Sequence, residues 1–463
     1  MIHLKPSIVP KTSEAIILSG MIISIISLAI IHWEATPHIP IIGSIIMLWI
    51  YGFIKKVPYE QLENGMLEGA KSGFGAIYLF FLIGILISSW IVSGTIPTII
   101  YTAFHLVTPK FYFSIVFIVT AIIGVAIGSS LTTVASVGVA FISVSESFGL
   151  SLPITAGAIV SGAFFGDKMS PLSDTTNLAS GMLKVDLFDH IRNLSWTTVP
   201  AFLISIVLFA IVSPNIDHAD FERIEGFVTM LRGTGLIHGY SWIPLLLLFL
   251  LSMKRKPAIV SITVSALAGM ILSFFHLNIT GSELFRLLFS GYVSNTGIPE
   301  LDRILTRGGI EGMFFTISLL ILALSLGGLL FTLGIIPKLF SIFKNRLQSH
   351  RAVIVASSFT AMFINIFVGE QYLSILLTGK TYEQSFRKVG LARKNLSRVL
   401  EDAGTVINPL VPWSVCGVFI SNVLHVDVLL YLPFAFFCLL SPILTLLFGL
   451  SGRTLTFIED KNR

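Results

Sequence analysis

Charged side chains are scarce in this chain: of its 463 residues only 12% are Asp, Glu, Lys or Arg, whereas 54% are hydrophobic. Soluble proteins carry roughly 25% charged residues. Soluble domains of this total length would need more polar cover for so much apolar surface. The composition therefore excludes a soluble enzyme, a nucleic-acid binder and a disordered scaffold. The formal net charge of +5 has to be interpreted by position along the chain, not as a patch for DNA.

Cysteine and the common catalytic motifs are also lacking. Cys416 and Cys438 both lie in apolar stretches, so no disulfide framework is expected. No His-Glu-x-x-His pattern supports a metalloprotease. Residues 379–381 resemble the end of a phosphate-binding loop, but Ser374 stands where that loop requires glycine. We expect neither enzyme activity nor a resident cofactor.

Long apolar runs take the place of charge. A helix needs ~20 apolar residues to cross a hydrocarbon layer of ~30 Å. Two long stretches, 153–180 and 399–423, predict crossings broken by polar, proline-rich segments. Two others, 111–149 and 351–381, each consist of two apolar runs separated by a short polar segment, which is typical of re-entrant hairpins. Uninterrupted crossings are predicted at 14–33, 38–54, 73–93, 195–213, 239–253, 257–276, 312–333 and 428–449.

The distribution of lysine and arginine favours this topology over one in which a hairpin crosses fully. With ten crossings, two hairpins and the N-terminus inside, the inner segments hold 23 of the 30 basic residues and the outer segments hold six. The remaining residue, Lys168, lies within a broken helix. The positive-inside rule predicts such an excess of basic residues on the inner side. A full crossing at either hairpin would move every later segment to the opposite side and remove that excess. We therefore expect both termini on the inner side.

A weak internal repeat occurs at an offset of about 240 residues. Three features recur in register. They are a Gly-x-x-Pro turn after an apolar run, a short polar segment between two apolar runs, and a proline that interrupts a helix. Chance similarity in a hydrophobic sequence is the alternative explanation. The matched pairs are 94–97 with 334–337, 128–133 with 368–372, and Pro171 with Pro409.

The repeat predicts the fold class. Five crossings separate equivalent points, and an odd number places the second half upside down relative to the first. Inverted repeats with broken helices are the architecture of secondary transporters. We expect an all-α polytopic membrane protein of two inverted repeats, each with about five spans, a re-entrant hairpin and a proline-broken helix. The predicted units are 1–213, an external linker at 214–238, and 239–463.

The first predicted break, at residues 166–177, is rich in hard oxygen donors. Pro171 has no amide N–H and its ring excludes the carbonyl four residues earlier, so the helix must open there. The freed carbonyls need partners, and Na⁺ is one cation that oxygen ligands suit. A water-lined kink satisfied by its own side chains is the alternative. Candidate ligands are Asp167, Ser173, Asp174, Thr175, Thr176 and Asn177, and for Na⁺ itself we favour Asp174, Thr175 and Ser130.

The second predicted break, at residues 401–414, contains Pro409 and Pro412. Its two carboxylates, Glu401 and Asp402, rank below Asp174, because a solvated cluster with Lys394 and Arg398 explains them nearly as well. The candidates taken from this break are Asp402, Thr405 and Asn408.

Each hairpin tip supplies further candidates. Small hydroxyl residues at a tip expose backbone groups, and glycine permits close approach of a ligand. We expect each tip to contact the break in its own half. The candidates are Ser129, Ser130, Thr132 and Thr133 in the first tip, and Asn365, Glu370 and Gln371 in the second.

These segments resemble a known family. Residues 166–179 are similar to the signature of the NhaC family of bacterial Na⁺/H⁺ antiporters, as are 370–373, 400–405 and 409–413. The resemblance covers most of the chain from about 60 to 425. It implies the ion-transporter-superfamily fold in the bacterial plasma membrane, and cation binding by Asp174 with its hydroxyl neighbours. Both termini, placed on the inner side by the basic residues, would then be cytoplasmic.

The resemblance also implies exchange of Na⁺ for H⁺. From the acid and hydroxyl groups at the two breaks we expect cytoplasmic Na⁺ to be exchanged for external H⁺ by alternating access, with a buried Asp174 binding either ion but not both. The family includes exchangers of malate for lactate, so a Na⁺/H⁺-coupled carrier or exchanger of a small organic anion or amino acid is the alternative function. The expected partners are the lipid bilayer and the transported ions, with no nucleic acid. A homodimer is left open.

Overall fold

The structure is a computed structural model, which describes residues 6–33, 35–106, 111–213, 229–254, 256–277, 279–297, 302, 305–343 and 348–458. Within these ranges the regular structure is helical, and the extended pairs are two isolated bridges, Tyr292 with Arg307 and Leu391 with Phe457. This confirms an all-helical chain. Most of the predicted linker at 214–238 lies outside the described residues.

The helices of the N-terminal half follow the apolar runs closely, with additional short helices between them. A π-turn, Val134–Gly138, interrupts the helix that begins with α7 and continues as α8. The bounds are α1 Thr12–Trp33, α2 His38–Ile54, α3 Tyr59–Lys71, α4 Phe74–Val92, α5 Thr95–Leu106, α6 Tyr112–Ile127, α7 Ser130–Thr133, α8 Val139–Ser147, α9 Leu152–Met169, α10 Asp174–Leu183 and α11 Leu187–Val212.

The C-terminal half contains a second π-turn, Leu400–Thr405, and a 3₁₀ turn, Asn408–Leu410. Its α-helices are α12 Ile243–Met253, α13 Ala258–Ser273, α14 Gly281–Ser290, α15 Phe314–Thr332, α16 Ile335–Phe343, α17 His350–Val368, α18 Gln371–Lys388, α19 Arg393–Val399, α20 Val415–Leu424, α21 Val428–Tyr431 and α22 Phe436–Ser451.

Among the described residues, six helices are long and apolar enough to cross a membrane, or up to eight if each of two bent pairs is one span. The chain is therefore a polytopic membrane protein. The stretches at 38–54, 239–253 and 257–276 form shorter apolar helices of 10–17 residues. The ten crossings and the inverted repeat stay predictions.

One predicted span, 428–449, is not the uninterrupted helix that we expected. The segments Val428–Phe434 and Phe436–Ser451 meet at an angle of 59°. Pro433 lies at the bend and supplies no amide proton for the helical ladder, which accounts for the interruption. The Ser161 hydroxyl lies 3.4 Å from the Phe437 amide nitrogen and accepts its proton just after the bend.

The two predicted hairpins reverse direction at Gly128 and Gly369, which both adopt left-handed backbone angles, with φ of 71° and 70°. A side chain at either position would be strained in this conformation. In the first hairpin the Tyr112 hydroxyl donates to the Phe141 carbonyl at 2.7 Å. In the second, the Thr360 and Tyr382 hydroxyls are 2.9 Å apart. These bonds join antiparallel arms.

Both predicted breaks are present. The first separates α9 from α10 at residues 170–173, and the second bends the segment 393–424 by 44° between Leu410 and Val415. Each hairpin tip contacts the break of its own half. A Cβ on Gly128 would lie 2.6 Å from the Leu172 Cβ, and the Val415 amide donates to the Gly369 carbonyl at 2.8 Å.

Glycine allows α6 and α9 to pack with their backbones almost touching. A Cβ added to Gly166 would lie 2.5 Å from the Cα and carbonyl carbon of Gly124. Small residues commonly provide such close approach between membrane helices. This contact fixes the end of α9, and therefore the first break, against the first hairpin.

We expect Gly166→Ala to destabilise the protein by about 1–3 kcal/mol, because the added methyl group cannot be accommodated without moving backbone. Thermal unfolding of the purified protein in detergent, followed by size-exclusion chromatography, measures the change. Gly20→Ala in α1 is the matched control, since nothing lies within 4 Å of its added Cβ. Equal midpoints for the two variants would contradict the packing argument.

Candidate ion-binding site

A carboxylate at the end of α9 joins the first break to the first hairpin tip. Asp167 is 5% exposed, and its Oδ2 accepts a hydrogen bond of 2.8 Å from the Ser130 hydroxyl. Ser130 begins the second arm of the hairpin, directly after the N-cap Ser129. The hairpin reversal at Gly128 therefore brings a hydroxyl onto a buried carboxylate, forming an oxygen-rich site.

Asp174 is placed differently from our expectation of a buried ligand. Its side chain is exposed and lines a cavity of about 360 Å³, together with Ser129, Thr132 and Asn177. The physical reason is that Asp174 is the first residue of α10, so it projects from the break into open space, whereas Asp167 ends the preceding helix inside the protein. The buried carboxylate of the first break is Asp167.

Several of the predicted ligand side chains instead form hydrogen bonds with the backbone of the same segments. The Asn177 amide donates to the carbonyls of Pro171 at 2.9 Å and Ser173 at 2.7 Å. The Thr176 hydroxyl donates to the Lys168 carbonyl at 3.2 Å, and the Thr133 hydroxyl to the Ser129 carbonyl at 2.8 Å. For these three side chains the structural alternative, in which the kink supplies its own partners, describes the contacts. The Thr175 hydroxyl lies 3.1 Å from that of Ser173, next to the buried carboxylate.

The second break is held by two asparagines. The Asn365 amide donates to the Gly404 carbonyl at 2.5 Å, and the Asn408 amide donates to the Asn365 Oδ1 at 2.8 Å. The Asn408 Oδ1 in turn accepts from the Cys416 amide at 2.9 Å. Asn365 and Asn408 therefore lock the second tip onto its break.

The remaining candidates of the second half are buried. Glu370 is the N-cap of α18 and accepts from the Leu373 amide at 2.7 Å. The Gln371 Oε1 and the Thr405 hydroxyl have no hydrogen-bond partner among the described residues. Glu370 thus has a structural contact, whereas Gln371 and Thr405 are left with unsatisfied oxygens.

Asp402 does not belong to a solvated cluster with Lys394 and Arg398. Its side chain is fully buried and forms an ion pair with Lys168, which is also fully buried. Lys168 additionally donates to the Ser441 hydroxyl at 2.8 Å. The pair joins the first break to the second across 234 positions of sequence. Because its ammonium group is engaged, Lys168 is not free to bind an anionic substrate.

Hydroxyl groups complete the environment of Asp402. Thr197 donates to Oδ2 at 2.8 Å and Ser441 to Oδ1 at 2.9 Å, and Thr445 also donates to Oδ2. Sequence reasoning missed these three residues. Two of them, Ser441 and Thr445, are four positions apart in an apolar helix, so they share one face. That spacing was the available signal.

Glu401 is the other residue that sequence reasoning set aside. Its side chain is fully buried, and it lies within electrostatic range of Asp167, Lys168 and Asp402. Across the described part of the chain, no group of three His, Cys, Asp or Glu side chains has the geometry of a metal-binding cluster. The arrangement suits hydroxyl and carboxylate chemistry with a monovalent cation or a proton.

A sequence profile of the Na⁺/H⁺ antiporter family matches residues 162–453, which include both breaks and the second hairpin. The chain belongs to this family. It is 40% identical to the Na⁺/H⁺ antiporter NhaC of Alkalihalophilus pseudofirmus, over 94% of this chain and 95% of the relative. It is 37% identical to the Na⁺/H⁺ antiporter NhaC of Bacillus subtilis, over 91% and 93% of the two chains.

A third relative is named for organic substrates as well as for ions. It is the malate-2H⁺/Na⁺-lactate antiporter of Bacillus subtilis, 32% identical over 97% of both chains. These antiporters are transporters, not enzymes, and membership of the Na⁺/H⁺ antiporter family gives this chain the same class. The resemblance noted from residues 166–179 is confirmed.

We expect Lys168→Met to destabilise the protein by about 3–5 kcal/mol, because Asp402 would be left charged and buried without its ion-pair partner. The double variant Lys168→Met/Asp402→Leu should recover much of that loss, since neither charge remains. Thermal or denaturant unfolding in detergent measures both. A double variant less stable than the single one would show that the pair is not the relevant contact.

Proposed function

We propose that this protein exchanges cytoplasmic Na⁺ for external H⁺ by secondary active transport. The observation that carries the proposal is the buried Asp167–Ser130 contact directly behind a cavity that Asp174 lines. Relatives named as Na⁺/H⁺ antiporters, matched over nearly the whole chain, support the choice of ions. Charged groups inside a membrane protein are costly and are retained where they function.

The two carboxylates have different roles in this proposal. Asp174, exposed in the cavity, attracts a cation as it arrives from water. Asp167, behind the tip, binds either Na⁺ or a proton, and both cannot occupy it together. The hydroxyls of Ser130 and Ser173 and carbonyls at the break replace part of the Na⁺ hydration shell. Competition for a single carboxylate makes the exchange obligatory.

The cavity indicates the side from which the ion arrives. Its lining includes Leu187 and Lys256, which belong to segments that the lysine and arginine distribution places on the inner side. We infer an inward-facing state in a bacterial plasma membrane, with both termini in the cytoplasm. Alternating access would then move the hairpins and breaks of two inverted repeats against the outer spans.

Carriage of a small organic anion is the second candidate function. The relative named as a malate-2H⁺/Na⁺-lactate antiporter, and the basic Lys256 in the cavity lining, favour it. The engagement of Lys168 with Asp402 counts against it, because that removes the buried cation best placed to hold a carboxylate. We therefore rank it below Na⁺/H⁺ exchange.

In proteoliposomes with an internal pH dye, we expect Asp167→Asn to abolish Na⁺-driven proton movement, because the amide cannot exchange a proton for Na⁺. Asp174→Asn should retain exchange but raise the half-saturating Na⁺ concentration roughly tenfold, a loss of about 1.4 kcal/mol in binding.

The control for both is Glu383→Gln, a partly exposed glutamate paired with Arg393. It should behave as the unsubstituted protein. Exchange by Asp167→Asn at the unsubstituted rate would refute the assignment of Asp167. Malate or amino-acid uptake that requires Na⁺, with no Na⁺-driven proton movement, would favour the second function.

The proposed orientation predicts where introduced cysteines are labelled. Ser282→Cys in α14 should react with a membrane-impermeant maleimide on intact cells, whereas Thr381→Cys in α18 should react only after permeabilisation. The native Cys416 and Cys438 are buried and should not interfere. Labelling of the two positions in the opposite order would invert the topology.

A further inference from the structure

The buried carboxylates of this protein differ in their hydrogen-bond and ion-pair partners. Asp402 has an ion pair and three hydroxyl donors, Asp167 has the Ser130 hydroxyl, and Glu370 has the Leu373 amide. Glu401 is fully buried, and neither of its carboxylate oxygens makes a hydrogen bond of normal geometry within the described ranges, although the Thr405 hydroxyl of the same turn lies close enough to interact with it. The protonation state of Glu401 therefore needs a separate explanation.

Local geometry holds Glu401 in this position. It lies in the π-turn Leu400–Thr405, where the helix is widened by one residue per turn. Such π-turns often mark functional positions in helices. The turn packs against both arms of the second hairpin and is pinned by the bond from Asn365 to the Gly404 carbonyl. Glu401 cannot readily swing out to water.

The charges around Glu401 are few. Asp167 and Lys168 on α9 and Asp402 on the same turn act on it directly. Lys168 is engaged by Asp402, so it does not neutralise Glu401 by contact. Other titratable side chains on the elements packed against the turn are Asp174 on α10 and Cys438 on α22, with Glu370 capping α18. Those on α18 are Tyr372, Lys380, Tyr382, Glu383, Arg387 and Lys388, and those on α19 are Arg393, Lys394 and Arg398; α17 carries its charged side chains, His350 and Arg351, in its first turn.

An ionised carboxylate without an ion-pair partner in such surroundings carries a large desolvation penalty. A neutral, protonated carboxyl avoids that cost. Burial without an ion-pair partner therefore favours the protonated form of Glu401, whereas Asp402 is paired with Lys168.

We propose that Glu401 is a proton-binding site separate from the cation site at Asp167, and that cation binding at Asp167 releases the Glu401 proton. Once Asp167 has lost its own proton and is still empty, its negative charge opposes ionisation of Glu401. A Na⁺ ion at Asp167 neutralises that charge, so the Glu401 O–H bond breaks and the proton passes to water. The coupling step rests on the proposed Na⁺/H⁺ exchange, whereas the protonated state of Glu401 does not.

Infrared spectroscopy of the purified protein in Na⁺-free buffer tests the protonated state. We expect a carboxylic C=O stretching band of a buried, protonated group that is lost in Glu401→Gln and retained in the control Glu383→Gln. Glu401→Asp should shift the band, which keeps the test usable if the glutamine variant folds poorly. Persistence of the same band in Glu401→Gln would overturn the proposal.

Proton release on Na⁺ addition tests the coupling. In weakly buffered detergent solution with a pH dye, NaCl should release protons from the unsubstituted protein, and choline chloride should not. Glu401→Gln should still bind Na⁺ but release about one proton fewer per protein. Equal release by both proteins would overturn the coupling. An unsubstituted protein that neither binds Na⁺ nor releases protons would refute the proposed function, while the infrared result would still decide the state of Glu401.

Discussion

Burial of the Lys168–Asp402 ion pair is the constraint on which the rest of the site depends. Two opposite charges removed from water are tolerable only when they remain in contact and their other hydrogen-bonding positions are filled. Thr197, Ser441 and Thr445 fill those of Asp402. The pair thereby fixes the end of α9 against the π-turn of the second half, and with it the relative position of the two breaks.

Four buried carboxylates share one region, yet their surroundings give them different chemistry. A lysine stabilises Asp402 as an anion, and a backbone amide makes Glu370 a helix cap. Asp167 is contacted by the hydroxyls of Ser130 and Ser173 and has no ion-pair partner in the described structure, while Glu401 is contacted by the Thr405 hydroxyl and likewise has no ion-pair partner there. Environment rather than residue type therefore gives these carboxylates different roles in the proposed exchange.

The two halves are not used alike. The first break faces a cavity, and Asp174 and Asn177 line it. The second break borders a different cavity at Pro412, while its Asn365, Asn408 and Cys416 amide groups are hydrogen-bonded to one another. In the proposed exchange an ion reaches the first break through its cavity, while the second break carries Asp402 and Glu401.

Local chemistry determined what the sequence predicted correctly. Gly128 and Gly369 allow the hairpins to reverse direction, and Pro171 interrupts the first broken helix, through backbone geometry alone. Long apolar runs specify membrane helices. The bend at Pro433 was missed, although it follows the same rule. Tertiary structure decided the rest, because burial and partners depend on residues distant in sequence. Only the fold exposes Asp174, buries Asp167, pairs Lys168 with Asp402 and leaves Glu401 without an ion-pair partner among the described residues.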